Sequence, residues 1–175
     1  KDDVTGWVTK YDENYVHSDL TYGVNSIVSM IYDKNNVEVF NNEALNGTDS
    51  YTDDILHNGG DFDIGWTEGF LDGGIAEVIM YNTAVNYAQR VILHNYLASN
   101  NVLRISNDLY DEDESTVNFG YDVAGIGQAS DGSSHTDAQG SGWVRMNTTS
   151  DLDNSEFLIW GHDKGTLSPN TIDVT

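Results

Sequence analysis

Short apolar stretches, each closed off by Asn, Asp, Gly or Ser, recur along the chain, and this punctuation limits the fold more than any other feature. Strands are short and end where turn-forming residues cluster, so the spacing predicts a β-sandwich or barrel. The stretches are Gly6–Tyr11, Val24–Tyr32, Asn36–Asn41, Phe62–Trp66 and Gly74–Tyr81. In Val24–Tyr32, period-2 alternation sets Val24, Val28, Met30 and Tyr32 on one face. The segment "EVFNNEAL" predicts a hairpin turning at Asn41-Asn42, because Asn tolerates the positive φ of a type I′ turn.

One segment breaks the pattern. "GGIAEVIMYNTAVNYAQRVILHNYLASN" (Gly73–Asn100) begins as a buried strand and ends as a helix. Asn86 is a favourable N-cap and Gln89, three residues on, completes a capping box. Val85, Ala88, Ile92 and Tyr96 form an apolar stripe that Leu93 and Leu97 widen, with His94 on the opposite, exposed side. The pattern stops at Ser99–Asn101. A boundary is expected there, giving one domain over 1–101 and a β-rich segment over 102–175 that forms part of a second module. That segment carries strand-like pieces at Tyr121–Gly127, Gly142–Asn147 and Glu156–His162, and "GQASDGSSHTDAQGSG" reads as a long exposed loop.

Composition narrows the chemistry. Lys and Arg number 7 against 29 Asp and Glu, a formal charge of −22 over 175 residues. A phosphate backbone would be repelled, so nucleic acid is excluded as a partner. Such a surface suits a salty medium, where screening relieves self-repulsion, and it also offers oxygen ligands to calcium. With no cysteine there are no disulfides, thiolate metal sites or thiol nucleophiles. No stretch approaches the roughly 20 apolar residues of a membrane helix, so no membrane insertion is expected.

Residues 24–100 resemble the C-terminal half of a concanavalin A-like jelly-roll module of the laminin-G/pentraxin type. The features that carry the resemblance are the Tyr32-Asp33 strand end, the Asn41-Asn42 hairpin, the Ile64-Gly65 strand and the run Gly73–Tyr81 into a capped helix. Residues 101–165, with "YDVAGIG" and "EFLIWGHD", are similar to the segment that follows such modules in large bacterial surface proteins. The resemblance implies an all-β fold: a partial antiparallel jelly-roll sandwich with one C-terminal capping helix, then a second β-rich segment. It also implies sugar- or protein-binding loops, often with calcium, at an extracellular or cell-surface location. A complete module of this kind is longer than the stretch before residue 101, so some N-terminal strands are expected from elsewhere, a neighbouring chain included.

Glu77 stands inside an apolar run, where an ionised carboxylate is costly unless bonded or paired. It is read as a structural carboxylate that pairs with a cation such as Arg90 or caps backbone amides where the helix docks. A metal or acid–base role is the alternative. Asp111, Asp113 and Ser115 alternate within "YDEDES", so a turn would bring their oxygens to one calcium, with Asp122 adding a ligand; the run reads equally as a solvated acidic loop. Sandwich glycosidases set their carboxylates alternately on one strand, and no Glu-x-Asp-x-Glu stands here. The five histidines lack metal spacing, and adjacent residues in "SSHTD" cannot form a triad. Trp66 and Trp143 would stack on sugar rings if exposed, and would serve the core if not. No catalytic residue and no cofactor beyond calcium is expected. The function indicated is non-catalytic adhesion or assembly, with carbohydrate or surface-protein partners. Two alternatives stand: a subunit of a surface filament or layer completed by a neighbour's strand, and a polysaccharide-binding module of a glycoside hydrolase.

Overall fold

A computed structural model of the chain describes residues 20–52, 54, 64, 71–110, 119–140, 144–147 and 151–163. The strands expected at Gly6–Tyr11 and around Phe62–Trp66 lie outside these residues, apart from Ile64. The described residues are β-rich, with antiparallel sheets and one helix. It divides into two compact units, Lys1–Val85 and Asn86–Thr175.

The first unit contains a meander of β1 (Val28–Tyr32), β2 (Asn36–Asn41) and β3 (Ala44–Ser50). Asp33 makes the first turn. Its carboxylate accepts hydrogen bonds from the amides of Asn35 and Asn36 at 2.8 and 2.7 Å, leaving Lys34 at φ 71°. The Asn36 bond, then the Asn35 bond, hold the Asp33 carboxyl below the ordinary carboxylate range. The second turn falls one residue later than expected, at Asn42-Glu43, with φ 48° and 71°. Two positive φ values are what a I′ turn requires, and this hand of turn matches the twist of the strands. Asn42 moves into the turn because its side chain and backbone both bond Ile27: Ile27 N–H donates to Asn42 Oδ1 at 2.8 Å, and Asn42 N–H to Ile27 O at 2.9 Å. These bonds extend the β1–β2 pairing by one residue.

Val37 and Val39 form the core of this sheet, with Val28, Tyr32 and Tyr51 packed against them. Met30 is exposed although it alternates with Val28 and Tyr32, and Val24 is exposed before the strand begins. Gly74–Tyr81, expected as a buried strand, joins no ladder among the described residues, and Leu71–Tyr81 is exposed throughout. Periodicity reports which residues suit burial. Whether a ladder forms depends on partners distant in sequence.

The second unit holds α1 (Tyr87–Asn101), β4 (Tyr121–Gln128), β5 (Ser134–His135), β6 (Asp137–Gly140), β7 (Val144–Asn147) and β8 (Glu156–His162). β4 lies between β5 and β8, and β6 pairs with β7. The Asn86–Gln89 capping box forms at the start of α1, with both reciprocal bonds at 2.9 Å. Val102, at φ 51°, ends the helix. The contacts divide the chain at residue 85 rather than 101, which places the helix in the second unit, packed on β4 and β5.

The face α1 buries is also different. Ala88, Val91, Ile92 and Ala98 are buried together with His94, Asn95 and Ser99, so His94 is interior rather than exposed. An apolar count misses this face because three of its members are polar. The stretch read as one long loop is likewise structured. Ala129 and Ser133 close a tight turn, with Ala129 N–H donating to Ser133 O at 2.8 Å, and β5 and β6 follow.

Glycines at two β4 positions make room for β8. Gly127 sits opposite Phe157 and Gly125 opposite Ile159. A Cβ on Gly125 would stand 3.0 Å from Ile159 Cγ1, and one on Gly127 would enter the Phe157 ring. Gly127→Ala is therefore expected to destabilise the second unit by about 1–3 kcal/mol by overpacking, read as an earlier unfolding midpoint in a denaturant titration.

Candidate functional site

The second unit carries a cleft of about 170 Å³ lined by Tyr87, Val91, Asn107, Leu109, Ala129, Ser130, Ser155 and Phe157. Val91 and Ala129 are fully buried, whereas Ser130, Ser155 and Leu109 are exposed, so the first pair forms the floor and the second group the rim.

Each wall is held by its own hydrogen bonds. One wall comes from the chain after α1. Asn95, 1% exposed, uses its carboxamide three times: Nδ2 donates to Val91 O at 2.8 Å and to Asn107 O at 3.0 Å, and Oδ1 accepts from Leu109 N–H at 2.7 Å. This clamp fixes Asn107 and Leu109 beside the helix. A second wall is the first turn of α1. Asn86 Nδ2 donates to Ser134 O at 3.0 Å and the Ala88 amide donates to Ser133 Oγ at 3.2 Å, so the helix start is bolted to the β4–β5 turn. The Arg90 guanidinium lies 4.7 Å from the centre of the Tyr87 ring, a cation–π contact that restrains this aromatic.

The third wall is the β4–β5 turn and the loop into β8. The Asp131 carboxylate accepts from the hydroxyl and the amide of Ser133 at 2.7 and 2.9 Å. The hydroxyl bond first, then the amide bond, lower the Asp131 pKa. That contribution to stability is present at neutral pH and fades as the pH falls through the lowered folded value. Ser155 N–H donates to Gln128 O at 2.8 Å, and Gln128 Nε2 to Asn154 Oδ1 at 2.6 Å. Ser155 sits at φ 70°, a left-handed conformation that costs a non-glycine residue energy and is found disproportionately at functional sites.

Asp111, Asp113, Ser115, Trp66 and Trp143 fall outside the described residues. Asp122 lies at the start of β4, at φ 50°, where the register with β8 shifts. Its Oδ2 is 2.8 Å from His162 Nε2, and the His162 ring lies 5.9 Å from that of Tyr121. The described member of the calcium set is thus engaged by an imidazole. Among the described residues, no three His, Asp or Glu side chains gather into a group that could hold a metal ion. Glu77 is exposed, in the stretch that joins no ladder, rather than enclosed in a sheet. The desolvation that made it conspicuous in the sequence is not imposed here.

The cleft residues carry no motif. The signal that could have found them is Asn95, a polar residue aligned with Val91, Ile92 and Ala98 on the helix. A carboxamide on a buried face must be bonded, and on a helix of this length it bonds whatever segment packs there. Compared with family models, curated proteins and solved structures, the chain matches none.

Asn95→Ala removes the only side chain bridging Asn107 and Leu109 to the helix in this clamp. It is expected to cost about 2–3 kcal/mol, because buried backbone groups lose their partners. Asn95→Asp costs more at pH 7, where a carboxylate would face two carbonyls. Burial raises that acid's folded pKa, so the extra loss shrinks on acidification towards about pH 4. Thermal melts of the three proteins at both pH values check the order.

Proposed function

We propose that the chain is a non-catalytic recognition domain of an extracellular adhesion or assembly protein, with carbohydrate or protein partners. One observation carries the reading. Among the described residues, the cleft of the second unit is lined by two aromatic rings, one of them a phenol, aliphatic side chains, two serine hydroxyls and a carboxamide, with no carboxylate or imidazole. Such a surface binds and orients but lacks the paired acid and base that bond cleavage by general catalysis requires. The same cleft would serve a polysaccharide-binding module attached to a hydrolase.

The finer architecture belongs to this proposal. The β1–β3 meander supports a concanavalin A-like jelly roll of laminin-G type within residues 1–101. Calcium is proposed at Asp111, Asp113 and Ser115, with Asp122 released from His162 to join them. The purified chain is expected to be retained on immobilised glycans or surface protein and to release no reducing ends from polysaccharide over a day, with or without calcium. Steady release of reducing ends by the pure chain would end the reading.

A second reading, assembly by strand pairing, rests on a separate observation. Ile75, Val78, Ile79, Met80 and Tyr81 are all exposed in one stretch, and among the described residues β1 and β3 are the outer strands of their three-stranded sheet. An exposed apolar segment and an unpaired strand edge each invite pairing between chains. On this reading the protein self-associates as its concentration rises, and Val78→Lys lowers the associated fraction in sedimentation velocity. A parent protein that stays monomeric at millimolar concentration would refute it.

A further inference from the structure

We propose that the cleft between α1 and the β4–β8 edge is a binding site for a single uncharged pyranose ring. This rests on the recognition reading above and names the ligand class of that site.

The argument begins with size. Pockets for drug-sized molecules span about 300–1,000 Å³. A cleft of about 170 Å³ takes one ring rather than an extended ligand. The second step is charge. The chain bears −22 overall, yet none of the eight lining residues is a carboxylate, an imidazole or a cation. Two charged side chains of the frame are engaged within it: Arg90 lies over Tyr87, and Asp131 accepts hydrogen bonds from Ser133. A charged ligand would be desolvated there without a counter-ion, which is expensive.

The third step is the pattern of polar and apolar groups. Val91, Ala129, Leu109 and the rings of Tyr87 and Phe157 supply apolar surface, while Asn107, Ser130 and Ser155 supply neutral donors and acceptors around it. Among the described residues, these three polar side chains hold no hydrogen bond that would occupy them. A pyranose is complementary to this arrangement. Its axial C–H groups form an apolar face that lies on an aromatic ring, and its hydroxyls radiate from the edge. A purely aromatic or aliphatic side chain of a peptide would fill the floor but leave the hydroxyls and the carboxamide desolvated without partners.

The fourth step is rigidity. The Asn95 clamp, the Ser133 bonds to the helix start and the Gln128–Ser155 bond hold the three walls independently. A weak, small ligand needs such a frame, since it cannot repay the ordering of loose walls. Ser155 is informative because it keeps a left-handed backbone that glycine would hold without strain. The serine hydroxyl is the group that substitution by glycine would remove.

The test uses the full chain, labelled with nitrogen-15, and titrates the methyl glycosides of glucose, galactose, mannose and N-acetylglucosamine. Glucuronic acid and N-acetylphenylalaninamide are titrated in parallel. At least one neutral glycoside is expected to move the amide resonances of Leu109, Ser130 and Ser155 in a saturable way, with glucuronic acid and the aromatic amide weaker. Ser155→Gly is expected to raise the dissociation constant about three- to tenfold, the worth of one hydrogen bond. It should leave thermal stability equal or higher, because the strain is relieved. Asn107→Ala keeps the backbone carbonyl that Asn95 uses and should weaken binding by a similar factor. The inference is overturned if no neutral glycoside shifts these amides, if neither variant changes the dissociation constant, or if the aromatic amide binds this cleft more tightly than every glycoside. The last result would leave recognition of a protein partner standing. Cleavage of a bound glycoside would do the reverse, ending the non-catalytic reading while supporting the ligand class.

Discussion

The second unit depends on one carboxamide. Asn95 lies on the face of α1 that packs inward, where water is excluded and every polar group must find a partner within the protein. It donates one bond to its own helix at Val91 O and one to Asn107 O, and accepts one from the Leu109 amide. A helix held only by apolar contacts could slide or rotate by a fraction of a turn. The two directional bonds to Asn107 and Leu109 define its position relative to the segment that follows. At the other end of α1, Asn86 and the Ala88 amide tie the helix start to Ser134 and Ser133. The cleft lies between these two attachments, so its shape follows from the bonds that dock the helix.

β4 is the other organising element. It pairs with β5 and β8, contacts α1 and β6, and buries Val123, Gly125, Ile126 and Gly127. A strand covered this way cannot carry large side chains everywhere. The two glycines yield space that Ile159 and Phe157 occupy, and Phe157 then becomes a wall of the cleft. Gln128, the last residue of β4, bonds both Asn154 and Ser155 and sets the loop that completes the rim. Packing and site construction are therefore the same set of contacts.

The first unit is built on different terms. Its turns are specified locally, by the Asp33 carboxylate and by the Asn42 side chain that reaches Ile27. Among the described residues, its apolar core is centred on Val37 and Val39 with three partners. The exposed apolar stretch Ile75–Tyr81 stands apart from that core among the described residues. The two proposed readings thus draw on separate parts of the chain, recognition on the framed cleft and assembly on the exposed apolar stretch.

Local rules were legible in the sequence wherever the interacting residues were neighbours. The Asn86–Gln89 capping box, the positions of β2 and β8, and a hairpin after β2, though not its turn residues to within one position, all follow from propensity and from side chains that bond their own backbone. Tertiary structure alone decided the rest. It made Asn95, His94 and Ser99 interior, because burial of a polar group depends on a partner that no window of sequence contains. It left Gly74–Tyr81 out of any ladder among the described residues and shifted the unit boundary to residue 85, because strand pairing and helix docking are set by contacts between distant segments. It also assembled the cleft from Tyr87 and Val91, Asn107 and Leu109, Ala129 and Ser130, and Ser155 and Phe157, which share no motif and meet only when α1 docks on β4.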